Sequence, residues 1–378
     1  MIKDKITSAG PSITDKEIEL VNEAIRYGWN DKMNFYIDQF RDEFSNYIGR
    51  KYCLPTAHCT DAIHLSLLAL DIGPNDEVIV PDTTWVATVS PILYVGAQPV
   101  FVDVDKDSWC MSAASFEKSI TNKTKAVIVV DLMGNMPEWD EIIEICNRKN
   151  IHIIEDAAEG IGAKYKNRKA GTFGEISLFS FNATKLIMSG QGGAFCTDSE
   201  ELYKKAKIIS HHGIDKEITG RYYWSSTLGY NYNWTNIQAA LATAQLRRID
   251  ELINYKEWLF KEYFKRLGNI EGLKLNTGSK RVDPVYWITA VTIGSNHKTN
   301  KEFLCQEFVK YNIDIRPFFY PISSMPTFKK YNINNIYKTT NINSYNLSLN
   351  TICLPNGNNL NEKKIDYICD TFKKILFT

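Results

Sequence analysis

"SLFSFNATKLIMSGQGGAF", residues 177–195, opens as a buried strand and closes among glycines. The apolar pair Leu178-Phe179 gives way to Ser180, Asn182, Thr184 and Lys185, and Gly190, Gly192 and Gly193 follow. A lysine so placed is either a solvated loop charge or a reagent. The glycines narrow the setting: a dinucleotide fingerprint must follow a strand and open a helix, whereas "GQGG" (190–193) follows Lys185 and precedes a strand. A dinucleotide-binding oxidoreductase is therefore disfavoured.

Outward from this stretch, short β-branched runs recur at intervals suited to crossover helices: "EVIVP" (77–81), "PVFVDV" (99–104), "KAVIVVD" (125–131), "IHIIEDAA" (151–158), "EISLFSF" (175–181) and "GGAFCTD" (192–198). Continuous apolar strands separated by helical segments predict a parallel or mixed sheet covered on both faces, an α/β domain. "TDKE" (14–17) is a capping box for a first helix that Gly28 ends. A second helix runs through Phe40, Phe44 and Ile48 to Gly49, and "TDAIHLSLLAL" predicts a third, apolar nearly all round and so buried. Past about residue 245 the pattern changes to a long polar helix, the separated strands "VYWITAVTI", "IDIRPFFYP" and "TICLP", and a last helix, "EKKIDYICDTFKKIL". The expected division is a large α/β domain over 1–245 and a smaller α+β domain over 246–378. The Asn-rich piece 332–350 reads as a polar loop region.

Composition sets the class. The chain of 378 residues has 44% hydrophobic and 23% charged side chains, with 44 basic against 44 acidic, so no basic face points to nucleic acid. No apolar run is long enough to span a membrane, and "MIKDKITSAGPS" lacks the apolar core of a signal peptide, so a cytoplasmic protein is expected. The eight cysteines form no CxxC pair and read as small buried apolar residues. No HExxH or zinc triad is present, so no metal is expected.

Ligands of α/β sheets sit beyond the carboxyl ends of the strands. There the sequence places Asp82, Thr83, Thr84 and Trp85; Glu155, Asp156 and Glu159; and Ser180, Asn182 and Lys185. The helix opening at Cys59 adds free N–H groups and the Thr60 hydroxyl, an anion site. An anion pocket, a flat aromatic, a carboxylate and a lysine are the groups pyridoxal phosphate requires. The phosphate needs donors, the ring a stacking face, the ring nitrogen an anion and the aldehyde an amine.

The block "EDAAEGIGAKYKNRKAGTFGEISLFSFNATKLIMSGQGGAFCTD" (155–198) resembles the signature of the DegT/DnrJ/EryC1/StrS sugar aminotransferases, pyridoxal-phosphate enzymes of fold type I. "HCTDAIHLSLLALDIGPNDEVIVPDTTWVAT" (58–88), "HHGI" (211–214), "GYNYNWTNIQAALATAQL" (229–246) and "RPFFYPISSMP" (316–326) follow the family order. The resemblance implies that Lys185 joins the cofactor's aldehyde and then shuttles a proton, and that Asp156 pairs with the ring nitrogen. It implies a phosphate held by Thr60, Ser180 and the N–H groups of Cys59 and Asp61, with Trp85 against the ring face and Glu159 beside the phenolic oxygen. Asn231 matches a position that reaches the neighbouring subunit's cofactor, which implies a homodimer with shared sites. His212, Arg316 and Tyr320 join Lys185 as substrate-side candidates, and His64 reads as a core residue. The implied substrates are L-glutamate and a nucleotide-linked keto-deoxysugar. The perosamine-synthase-like subgroup is the most similar, which implies amination at carbon 4 of a GDP- or dTDP-linked 4-keto-6-deoxyhexose for surface polysaccharide. Amination at carbon 3, a small phosphorylated ketone, and a catalytically idle homologue stay open. The chain departs from the family at His58-Cys59-Thr60, where Ser/Asn-Gly-Thr is usual; at Glu159, commonly Gln; and at Ser323, often His. An ionised Glu159 facing a phenolate is unfavourable, so one of the two should carry a proton.

Overall fold

The computed structural model describes residues 4–220, 222–297 and 299–377. Its centre is a seven-stranded sheet in the order β1-β9-β8-β5-β4-β2-β3. In chain order these are β1 (Tyr52–Thr56), β2 (Glu77–Pro81), β3 (Gln98–Val102), β4 (Thr124–Val130), β5 (His152–Asp156), β8 (Ile176–Ser180) and β9 (Gly193–Thr197). The short β6 (Lys164–Tyr165) and β7 (Arg168–Lys169) form a separate ribbon. Strands β3, β2, β4, β5 and β8 run parallel, while β9 lies antiparallel between β8 and β1. Side-chain alternation splits β4 between two cores: Val127 and Val129 face one layer, Ala126 and Ile128 the other. This is the mixed α/β sheet, covered on both faces, that the apolar runs predict. Strand β1 was not among them. It carries Pro55, which a central strand would not tolerate, and the sheet accommodates it because β1 is the edge strand.

The helix signals hold. Helix α1 (Asp15–Tyr27) has the Thr14–Glu17 capping box, and α2 (Phe35–Ile48) ends at Gly49, whose φ of 88° suits glycine. Helix α3 (Cys59–Ala69) buries seven of its eleven residues, from Ala62 to Ala69.

A second sheet, antiparallel in the order β10-β12-β14-β13, comprises β10 (Leu273–Leu275), β12 (Ala290–Ile293), β13 (Arg316–Pro317) and β14 (Thr351–Cys353). The long helix Ile249–Leu267 and the last helix Glu362–Leu376 pack on it through Leu259, Tyr263, Ile368 and Phe372. Two features cross the 245/246 division. Ile6 is buried in the core of the smaller sheet, exchanging backbone hydrogen bonds of 2.9 Å with Asn312 and Asp314. Strand β11 (Val282–Asp283) pairs with β6 of the larger unit.

The Asn-rich piece is not a loop. It holds the helices Tyr337–Thr340 and Ile342–Asn350, and its polar groups satisfy two buried carboxylates. Asp82 accepts from Ser323 N at 2.8 Å, Ser323 Oγ at 2.7 Å and Asn341 Nδ2 at 3.0 Å. Asp103 accepts from Asn343 N at 3.0 Å and from Ser344 N and Oγ at 2.9 Å. A buried carboxylate without donors is costly, so an Asn- and Ser-rich segment is what these two require.

Candidate active site

A cavity of about 1130 Å³ lies beyond the carboxyl ends of the parallel strands and is closed by elements of the smaller sheet. Strand alternation decides which acid reaches it. Glu155 points to the opposite face from Asp156 and is consumed by Gly171 N, Phe173 N, Gly174 N and Ser177 Oγ, at 2.5–3.3 Å. Asp156, buried at the end of β5, lines the cavity. It accepts from Thr88 Oγ1 at 2.8 Å and Ala158 N at 3.2 Å, and Thr84 steadies Thr88 at 2.9 Å. Burial pushes the Asp156 pKa up, opposed by Thr88, Ala158 and the Lys185 charge.

Lys185 lies in the loop between β8 and β9 and is largely buried. Its Nζ sits 3.3 Å from Glu159 Oε1 and 3.7 Å from the centroid of the Trp287 ring. Glu159 Oε2 accepts from Met133 N at 2.8 Å, and Trp287 Nε1 donates to Thr184 O at 2.8 Å, holding the lysine loop. Burial raises the Glu159 pKa, countered chiefly by the Lys185 charge. The loop lysine is thus no solvated surface charge.

The anion end is built from α3 and β9. No side chain caps the first turn of α3, which leaves its N–H groups to a ligand. Gly193 lets the strand approach that turn: a Cβ there would lie 2.5 Å from Cys59 N. Thr60 and Cys59 line the same cavity, as does the buried Ser180, whose Oγ accepts from Asn182 N at 3.4 Å. Trp85 lines it too and is 59% exposed, its ring 6.1 Å from Phe319. An uncapped helix start, a lysine, a buried carboxylate and an open indole suit pyridoxal phosphate. Its phosphate would take the α3 turn, Ser180 and Thr60, its ring nitrogen Asp156 and its aldehyde Lys185.

Not every expected residue is brought together. Arg316 and Tyr320 line the cavity, with Lys301 Nζ 3.9 Å over the Tyr320 ring. His212 and Asn231 are exposed outside the cavity lining, and Asp61 lies just outside it, 3.1 Å from His58 Nδ1. Asp82, a strand-end candidate, holds Ser323 and Asn341 instead of facing the cavity, so Ser323, where the family often has histidine, is a buried structural partner. His64 is buried with Nδ1 2.9 Å from the Tyr232 hydroxyl. Sequence reasoning missed Thr88 and Trp287. Thr88 closes the quoted 58–88 block with no signal of its own, and Trp287 sits in a run that reads only as a strand. Among the described residues no cluster of three or more His, Cys, Asp or Glu is placed to hold a metal ion.

Known proteins resemble the chain over nearly its whole length. The chain is 37% identical over 365 residues, 96% of either chain, to a protein of Escherichia coli O157:H7 named GDP-perosamine synthase. It is 34% identical to the GDP-perosamine synthase of Caulobacter vibrioides over 86% of this chain and 87% of that one. A Streptococcus pneumoniae protein described as a sugar aminotransferase, solved in its PMP form, superposes with a TM-score of 0.91 at 27% identity, covering 99% of this chain and 98% of that one. Its PLP form gives a TM-score of 0.90 at 26% identity, covering 99% of each chain. The model of the DegT/DnrJ/EryC1/StrS aminotransferase family matches residues 11–373, and the chain belongs to that family.

Proposed function

We propose that this protein is a pyridoxal-phosphate-dependent aminotransferase that moves the amino group of L-glutamate to carbon 4 of a nucleotide-linked 4-keto-6-deoxyhexose, GDP-linked in the first instance, for surface polysaccharide. The observation that carries the reading is Lys185 Nζ, largely buried beside Glu159 and Trp287 on the wall of a cavity whose floor bears Asp156. The relatives named GDP-perosamine synthase support the nucleotide and the carbon.

When bound, pyridoxal phosphate supplies an aldehyde that takes up the amine and a ring that accepts the electrons released at the substrate carbon. The protein's own groups do the rest. Lys185 Nζ is the nucleophile and then the base that moves a proton at the reacting carbon. Trp287 and Glu159 keep the amine at one place without saturating its donors. Asp156 balances a positive charge on the ring nitrogen, and that charge in turn favours its ionised form against burial. Thr88 orients the carboxylate.

The homodimer belongs to the same reading. Tyr222, Tyr223 and Trp224 are 71–93% exposed on the segment that leads to Asn231, and Tyr27, Trp29 and Phe35 are exposed on and around α1 and α2. These surfaces support a partner copy that brings Asn231 and His212 to the other subunit's cavity. All eight cysteines are unpaired, which supports a cytoplasmic setting.

The test is a visible spectrum of the purified protein with pyridoxal phosphate, before and after L-glutamate, followed by a panel of 3-keto and 4-keto nucleotide sugars. Bleaching of the cofactor band by glutamate and amination of the 4-keto sugar are expected. A spectrum indifferent to glutamate overturns the donor, and exclusive use of the 3-keto sugar overturns the carbon.

A further inference from the structure

The wall of the cavity opposite the large sheet holds a second buried lysine. Lys256, midway along the helix Ile249–Leu267, is only 6% exposed yet lines the cavity. Its Nζ donates to Asn356 O, and among the described residues no carboxylate is paired with it. An ammonium has three donors, and a buried one with no counter-charge is costly. The neighbouring groups are joined through one residue: Asn356 N donates to Ser8 O at 2.9 Å, and Arg316 Nε donates to Ser8 Oγ at 3.0 Å. Lys256 and Arg316 therefore flank Ser8 on one wall.

We propose that Lys256, with Arg316, forms a subsite for an anionic oxygen group of a substrate, either a carboxylate of the amino donor or the diphosphate of the nucleotide sugar. The inference rests on the aminotransferase reading for the identity of those two ligands. The bound anion supplies the counter-charge that the described residues do not. Burial also lowers the Lys256 pKa to about 8, so the amine is charged at neutral pH and loses its proton in mild alkali. Few other groups on the wall titrate in that range. Arg316 is paired with Asp314 at 3.2 Å, the segment 7–11 has no ionisable side chain, Tyr255 is raised by burial to about 12, and Tyr263 is raised further.

The experiment is calorimetric titration of the cofactor-loaded protein with glutarate, a non-reacting dicarboxylate, and separately with GDP. Wild type, Lys256→Met and Lys256→Arg are compared at about pH 7 and about pH 9.5, on either side of the Lys256 titration. Loss of a charged hydrogen bond predicts binding about tenfold weaker or more in Lys256→Met. Weakened glutarate binding assigns the carboxylate, and weakened GDP binding assigns the diphosphate. Wild-type affinity should fall at the higher pH and that of Lys256→Arg should not, a contrast that decides the matter even where Lys256→Met does not fold. Unchanged binding of both ligands in folded Lys256→Met, or the same pH response in wild type and Lys256→Arg, overturns the subsite. Neither titration needs turnover, so its failure is separable from failure of the glutamate spectrum.

Discussion

Two buried acid–base pairs, Glu17–Arg248 and Glu159–Lys185, are alike in chemistry and differ in what surrounds them. Glu17 and Arg248 meet at 2.7 Å with side chains only 1% and 3% exposed. Every direction around them is filled. Glu17 also accepts from Gln245 Nε2 at 2.7 Å and from Thr14 N and Oγ1 at 2.7 and 2.6 Å, and Arg248 also bonds Ser12 and Glu251. Glu159 and Lys185 are 3.3 Å apart, with Met133 N, among the described residues, as the one further hydrogen-bond donor to the acid and an indole face under the amine. Saturated donors make a clamp between α1 and the start of the long helix. Unused donors facing a cavity make a reagent.

The sharpest way to break this comparison is to remove one member of each pair. Lys185→Ala should lower turnover by about 10⁴-fold or more while thermal unfolding stays near that of the parent. Glu17→Ala should do the reverse. Arg248 then keeps only the solvent-exposed Glu251 as counter-charge, so the loss should approach, without exceeding, the about 3–5 kcal/mol of a broken buried pair in denaturant unfolding, with kcat/KM retained wherever the protein is folded. Normal turnover in the first variant, or unaltered stability in the second, would reverse the assignment of clamp and reagent.

The clamp also has a pH signature. Burial alone would raise the Glu17 pKa, but hydrogen bonds from Thr14, Arg248 and Gln245 outweigh it and hold the carboxyl at about 2, below its ordinary 4.5. A depressed folded pKa means that this stabilisation is fully present above pH 4.5 and drains away as pH falls toward 2. Acid unfolding of Glu17→Gln should lack that component, read as a flatter stability curve across the same window.

A smaller effect tests the reagent side. Asp156→Asn keeps the Thr88 contact and removes the charge, so kcat/KM should fall about 10²-fold with stability little changed. Smallest of all, Glu159→Gln should cost less than about tenfold in kcat/KM. Because burial raises the Glu159 pKa in the folded protein, its carboxylate is a liability above the unfolded value. The Gln variant should therefore gain stability relative to the parent as pH rises through that titration. A variant that loses ground with rising pH would show that Lys185 more than offsets burial.

Much of this was legible in the primary structure because it rests on local physics. The capping box at 14–17, the glycine stop at Gly49 and the continuous apolar runs of the parallel strands are short-range signals, and the elements they predict lie within a residue or two of the expected bounds. Strand β1 was missed because Pro55 is acceptable only at an edge, and being an edge is a property of the whole sheet. The Asn-rich segment misled because polarity looks like solvent exposure until two buried carboxylates are found behind it.

Within the site the same division holds. By itself the sequence placed Lys185, Asp156 and Glu159 beyond the ends of neighbouring strands, since strand endings follow from the apolar runs. Only the tertiary structure set Trp287 under the amine, turned Glu155 away to the glycine turn, spent Asp82 on Ser323, and left Lys256 buried on the far wall with no carboxylate paired to it among the described residues. Apart from the Glu155 turn, whose partners lie 16 to 22 positions away, those contacts join residues 100 to 241 positions apart, and no local pattern encodes the meeting of two segments whose approach is decided by packing.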